Sequence, residues 1–110
     1  MAKRARLDGT LSALADPQRR RIVELLRRGP RRAGELAQQL AMPPPAMSRH
    51  LRQLREAGLV EETHPQFDAR VRIYSLNAAR IAEAKAWLEE TERLWTRQLG
   101  AFKAHVESAK

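Results

Sequence analysis

The fold is decided by residues 33–59, AGELAQQLAMPPPAMSRHLRQLREAGL, two short helical patterns joined by a turn that three consecutive prolines close. In the first pattern Leu36, Ala37 and Leu40 fall on one face and leave Gln38 and Gln39 outside. In the second, Met47, Leu51 and Leu54 repeat at helical spacing while Ser48, Arg49, Arg52 and Arg55 face elsewhere. Ala37 is small enough for two helices to cross closely. The arrangement is that of a helix-turn-helix, whose second helix offers a polar, cationic face sized for the major groove of DNA.

Toward the N-terminus the pattern stays helical. Residues 1–6 form a short basic arm, expected to be a frayed, solvated end. Leu7, Leu11 and Leu14 then repeat at four and three residues, consistent with a first helix ending near Ala15. Asp16-Pro17 reads as the start of a second helix, with Asp as N-cap and Pro at the first position, where a missing N–H costs nothing. Ile22, Val23, Leu25 and Leu26 supply its buried stripe, arginines clothe the rest, and Gly29-Pro30 stops it.

Beyond the central stretch Gly58 stands where a helix C-cap glycine belongs. The period then changes to alternation on both sides of Pro65-Gln66-Phe67-Asp68-Ala69, which predicts a hairpin with strands over residues 59–64 and 70–76. Such a short hairpin must pack on the helices to be stable. Asn77 reads as the N-cap of a long last helix, on which Ile81, Ala84, Leu88, Trp95, Leu99, Phe102 and Val106 form one stripe that Trp87 and Leu94 widen. A stripe of this length exposes more apolar surface than a small monomer tolerates, so a second copy of the chain is the expected cover, in preference to folding back over its own hairpin.

The totals agree. At 110 residues the chain is one modest domain, and its formal net charge of +8 points to a polyanionic partner. Residues 1–77 hold 15 Lys and Arg against 8 Asp and Glu, whereas residues 78–110 hold 6 against 5, so the excess lies in the body and not in the tail. The absence of cysteine excludes disulfides, thiolate metal sites and cysteine nucleophiles. No apolar run reaches membrane-spanning length and MAKRARLDG lacks a signal-peptide core, so a cytoplasmic location is expected. Enzymatic chemistry has little support: there is no nucleophile elbow, no Gly-rich phosphate loop and no helix with paired metal ligands.

Four segments together carry a family likeness: LADPQRRRIVELL at residues 14–26, GELAQQLAM at 34–42, MSRHLRQLREAGLV at 47–60 and RIYSL at 72–76. With the order of elements, they make the chain closely resemble the ArsR/SmtB family of winged-helix transcriptional repressors over roughly residues 7–95. The resemblance implies a mainly α fold with a small β-hairpin, a winged helix-turn-helix of order α-α-α-α-β-β-α. With the basic arm at 1–6, the chain then divides into a winged helix-turn-helix DNA-binding domain at 7–76 and a long dimerisation helix of the same domain at 77–110. The resemblance further implies a homodimer that binds double-stranded DNA at a pseudo-palindromic operator and represses transcription.

Two departures shape the expected site. The family's thiolate metal site is absent because GELAQQL has no cysteine, and the last helix offers only His105 with scattered glutamates. The ending instead looks like a metal-independent subgroup with a WL…LW pattern, here Trp87-Leu88 and Leu94-Trp95, so no metal or cofactor is assigned, and any small-molecule effector is unknown. Second, Pro43 and Pro44 stand where the family commonly has a Ser or Thr N-cap and further polar groups, which shifts base reading to Ser48, Arg49 and Arg52. Arg49 suits a bidentate contact to guanine, and Arg52 or Arg55 suits phosphate. Arg70 and Arg72, alternating with Val71 and Ile73, are either wing contacts to the adjacent groove or an ordinary polar strand face. Leu11, Leu88, Trp95, Leu99 and Phe102 are the expected dimer residues, preferred over a pocket for a hydrophobic effector. His50 is expected to be partly buried near the helix crossing, and Tyr74 to be a core residue with a satisfied hydroxyl. Two other functions fit parts of the pattern: a protein-interaction module that has lost DNA specificity, and a metal-responsive repressor using His50, His64 and His105.

Overall fold

A computed structural model describes residues 2–109; Met1 and Lys110, assigned above to the arm and the last helix, lie outside the described residues. The order is α1 (Ala2–Leu14), α2 (Pro17–Leu26), β1 (Arg31–Arg32), α3 (Ala33–Gln39), α4 (Pro44–Glu56), β2 (Val60–Thr63), β3 (Ile73–Leu76) and α5 (Ala78–Ser108). Ala2 to Arg6 are helical and not a frayed arm. They form the first turns of α1, which continues through Thr10, whose hydroxyl donates to the Arg6 carbonyl at 3.0 Å.

Local chemistry accounts for the helix ends. Asp16 Oδ1 accepts the N–H groups of Gln18 at 2.7 Å and Arg19 at 3.2 Å, capping α2 with Pro17 in its first turn. Asn77 Oδ1 accepts the N–H of Ala79 at 3.0 Å and starts α5. At the end of α4 the N–H of Gly58 bonds the Arg55 carbonyl and that of Leu59 bonds the Leu54 carbonyl, a Schellman closure with Gly58 at φ +79°. The turn after α3 repeats the device without glycine: Ala41, at φ +50°, donates to Gln38 and Met42 donates to Ala37.

The sheet has three antiparallel strands in the order β1-β3-β2. β2 and β3 are the expected hairpin, paired Val60 with Leu76 and Thr63 with Ile73. β1, which side-chain alternation cannot reveal in two residues, joins the free edge of β3 by pairing Arg31 with Tyr74. Its cover leaves β3 central and the sheet anchored to the start of α3.

Ile22, Leu36, Met47, Leu51, Leu54 and Leu59 are fully buried and join Val60 and Tyr74 in one core. Burying each such side chain is worth about 1.5–3 kcal/mol. Three of them lie on α4, so the core fixes that helix against α2, α3 and the hairpin. Ala37 is buried at the α3–α4 crossing and His50 is buried on α4.

The last helix behaves differently. Its first turns pack on α1, with Ile81 half-buried and Ala84 buried. Beyond them the same stripe leaves the body: Leu88, Trp95, Leu99, Phe102 and Val106 are exposed, and Gly100 does not break the helix. A helix of 31 residues runs about 46 Å, and it stretches the molecule to 71 × 30 × 21 Å.

Candidate nucleic-acid interface

The outward face of α4 carries Ser48, Arg49, Arg52, Gln53 and Arg55, all exposed, while Met47, His50, Leu51 and Leu54 hold the helix to the core. Among the described residues, Arg49 and Arg52 make no side-chain hydrogen bond or ion pair, so their charges are available to an external anion. Gln53 accepts a hydrogen bond from Arg19 of α2 and is thereby occupied.

The prolines define the front of this helix. Pro43 is the N-cap, with φ −57° and ψ 140°, and Pro44 and Pro45 fill the next two positions. None has an N–H, and the N–H of Met47 is taken by the Pro43 carbonyl at 3.0 Å. Of the donors that usually leave a helix N-terminus open to a phosphate, only the Ala46 N–H remains. The polar groups this helix offers outward are therefore those of side chains further along it.

Arg55 is not free. Its Nη1 pairs with Glu62 Oε2 on β2, the same oxygen that accepts the Tyr74 hydroxyl at 3.0 Å. The other oxygen, Oε1, lies 3.2 Å from Nε2 of His64, whose Nδ1 stands 3.0 Å from the Val71 carbonyl. Arg72 stands beside the group, and with Ser48, Arg52, Arg55, Glu62 and Tyr74 it lines a cleft of about 130 Å³ between α4 and the hairpin. Burial raises the Glu62 carboxyl pKa, but the Tyr74 hydrogen bond and the charges of Arg55, Arg72 and His64 outweigh it and leave the group below its ordinary value. Burial and then the Glu62 contact push the Tyr74 hydroxyl up.

The hairpin tip differs from the expected continuous strand. The Arg70 N–H donates to Asp68 Oδ1 at 3.0 Å and the Val71 N–H to the Asp68 carbonyl at 3.2 Å, so the turn consumes the backbone donors that a ladder would need. The strand therefore begins at Ile73 and not at Arg70, and its partner ends at Thr63 and not at His64. Arg70 is 93% exposed and its Nε lies 3.3 Å from Asp68 Oδ1, while Arg72 is exposed just ahead of β3. Phe67 is 84% exposed at the tip. Sequence reasoning missed the role of Glu62: alternation places it on a strand face but cannot reveal which arginine of α4 it meets.

His50, His64 and His105 lie on α4, at the end of β2 and on α5, and among the described residues no three His, Asp or Glu side chains form a metal-ligand cluster. Of the expected dimer residues, Leu88, Trp95, Leu99 and Phe102 share the exposed stripe of α5, and Leu11 is half-buried on α1.

Residues 16–62, from the α2 cap to the middle of β2, match the profile of the bacterial regulatory proteins of the arsR family. HTH-type transcriptional regulator Rv2034 of Mycobacterium tuberculosis is 39% identical over 101 residues, covering 92% of this chain and 89% of the relative. The chain belongs to the ArsR family. Transcriptional repressor SdpR of Bacillus subtilis is another relative of this ArsR-family chain, 30% identical over 83 residues that cover 74% of it and 88% of SdpR. In three dimensions it superposes on an ArsR-like transcriptional regulator from Rhodococcus sp. RHA1 with a TM-score of 0.79 at 30% identity, covering 94% of each chain. The winged helix-turn-helix assignment therefore holds for fold and family alike. Among the described residues, no helix is long and apolar enough to cross a membrane.

Proposed function

We propose that this ArsR-family chain is a metal-independent transcriptional repressor that binds a pseudo-palindromic operator as a homodimer. The observation that carries the reading is the free cationic face of α4, with Ser48, Arg49 and Arg52 unencumbered on a helix that the core holds rigidly. Arg49 would read a guanine edge, Arg52 would meet phosphate, and Arg70 and Arg72 would reach the flanking groove from the wing. Two copies joined along the exposed stripe of α5, with Leu11 of α1 beside it, would set two recognition helices about 34 Å apart, one turn of duplex. The repressor sense follows the name of the relative SdpR. The chain would work in the cytoplasm, where its DNA lies, and needs no catalytic group.

The test is an anisotropy titration with duplex from beside the chain's own coding region against a random duplex, over a range of salt. A preference of about 10³-fold or more and a steep salt dependence are expected. Equal affinity for both duplexes overturns the reading in favour of a protein-interaction module.

A further inference from the structure

Within the basic groove between α4 and the wing sits one carboxylate, that of Glu62. Its side chain is 14% exposed, while that of its partner Arg55 is 49% exposed. The acid is held from three directions: by Arg55 from α4, by the Tyr74 hydroxyl from β3 and by His64 from the end of its own strand. Arg72 adds its charge from the approach to β3. A carboxylate with this many partners is fixed in place, and it fixes Arg55 in turn. Arg55 is the one arginine of α4 whose charge is already neutralised, although it shares the cleft with Ser48 and Arg52.

From this geometry we propose that Glu62 is a specificity-determining positioning residue, which withholds Arg55 from DNA phosphate and locks the recognition helix to the wing. The proposal rests on the DNA-binding reading above. Phosphate contacts add affinity for every sequence alike, whereas base contacts discriminate. An Arg55 left free would strengthen binding to all DNA and dilute the selectivity of Arg49. The Glu62 carboxylate removes that contribution, and because the same oxygen accepts the Tyr74 hydroxyl it ties Arg55 of α4 to β3. Glu61, the neighbour of Glu62 on β2, is exposed and makes no side-chain bond among the described residues, so it provides a charge-matched comparison.

The test uses the full chain and a random-sequence duplex, with the slope of log affinity against log salt as the readout. In Glu62→Gln the slope should steepen by about 0.9, the value of one added phosphate contact. The double variant Glu62→Gln/Arg55→Gln should return the slope to that of the parent, and Glu61→Gln should leave it unchanged. Arg55→Gln alone, which does not depend on Glu62 variants folding, should also leave the slope unchanged. A slope that falls by about 0.9 in Arg55→Gln makes Arg55 a phosphate contact and overturns the proposal, as does an unchanged slope in a folded Glu62→Gln chain. If the parent binds neither operator nor random duplex at low salt, the DNA-binding reading itself falls and takes this one with it. Selective binding by the parent with the wrong slopes refutes the role of Glu62 alone.

Discussion

Arg80 closes over Gly58 so tightly that a β-carbon at Gly58 would stand 2.7 Å from Arg80 Nε. Arg80 is in turn held by Glu83, whose Oε1 also meets Arg6 of α1 at 3.3 Å. The turn that ends the recognition helix, the start of α5 and the first helix thus share one contact. Gly58→Ala adds a side chain both at φ +79° and against that guanidinium. It should lower stability by about 1–3 kcal/mol in urea unfolding. An unchanged midpoint would mean that Arg80 swings clear and the backbone relaxes.

Ala41 presents the opposite case. It occupies a left-handed position at φ +50° with no glycine to ease it, and its N–H completes the turn between α3 and α4. Ala41→Gly relieves the strain and gives back part of the gain as unfolded-chain entropy. The net expectation is a stabilisation of about 0.5 kcal/mol, read as a higher urea midpoint. A lower midpoint would show that chain entropy outweighs the strain.

Arg49→Ala should weaken operator binding by about 1–3 kcal/mol and relax selectivity at one base pair while leaving random-duplex affinity nearly unchanged. Binding to a panel of single-base operator variants measures this. A uniform loss over all sequences would reassign Arg49 to phosphate.

The proposed dimer predicts that Trp95→Glu combined with Leu99→Glu sediments as a monomer, at half the mass of the parent, in sedimentation equilibrium. Both residues are exposed on α5, 64% and 50%, beyond the part that packs on α1, so the body itself should keep its fold and its circular dichroism. An unchanged mass in the variant would remove this stripe as the interface of the proposed dimer.

Acid should destabilise the fold through Asp16 and Glu62. The N–H of Arg19 holds the Asp16 carboxyl below its ordinary value, the Gln18 N–H and the Arg19 charge adding to it against desolvation, and Glu62 is depressed as described. Folded values below the unfolded ones mean that the unfolded chain takes up protons first as pH falls. The stabilisation is complete above the ordinary values of 3.8 and 4.5 and is lost as pH falls through the depressed ones. Urea midpoints of the parent should drop across that range, and Glu62→Gln should flatten the drop. An equal drop in the variant would remove Glu62 from the account.

What the sequence made legible was local. Asp16-Pro17, Asn77 and Gly58 act on backbone groups within a few residues, so their types announce caps. Leu36, Met47, Leu51 and Leu54 recur with the helical period because one face of each helix meets the core. Tyr74 was readable as a buried residue needing a partner for its hydroxyl, but the identity of that partner was not. Glu62 meets Arg55 seven residues away across the end of a helix and Tyr74 twelve away across a sheet, and no periodicity encodes such a meeting. Arg31 and Arg32 form a strand through backbone pairing alone, which leaves no trace in side-chain pattern. The arginines at the hairpin tip were placed on a strand because alternation was extended through a turn that Asp68 controls.

The three prolines at the front of α4 have a thermodynamic consequence. Each fixes its own φ in the unfolded chain as well as the folded one, so the first turn of the recognition helix loses little freedom on forming. It is then already set when a duplex arrives, with no disordered segment to organise around the bases. The heat-capacity change of association would reflect surface removed from water, without a folding contribution. A donor-poor helix start thus gives up backbone contacts to phosphate and in return lowers the entropic cost of recognition.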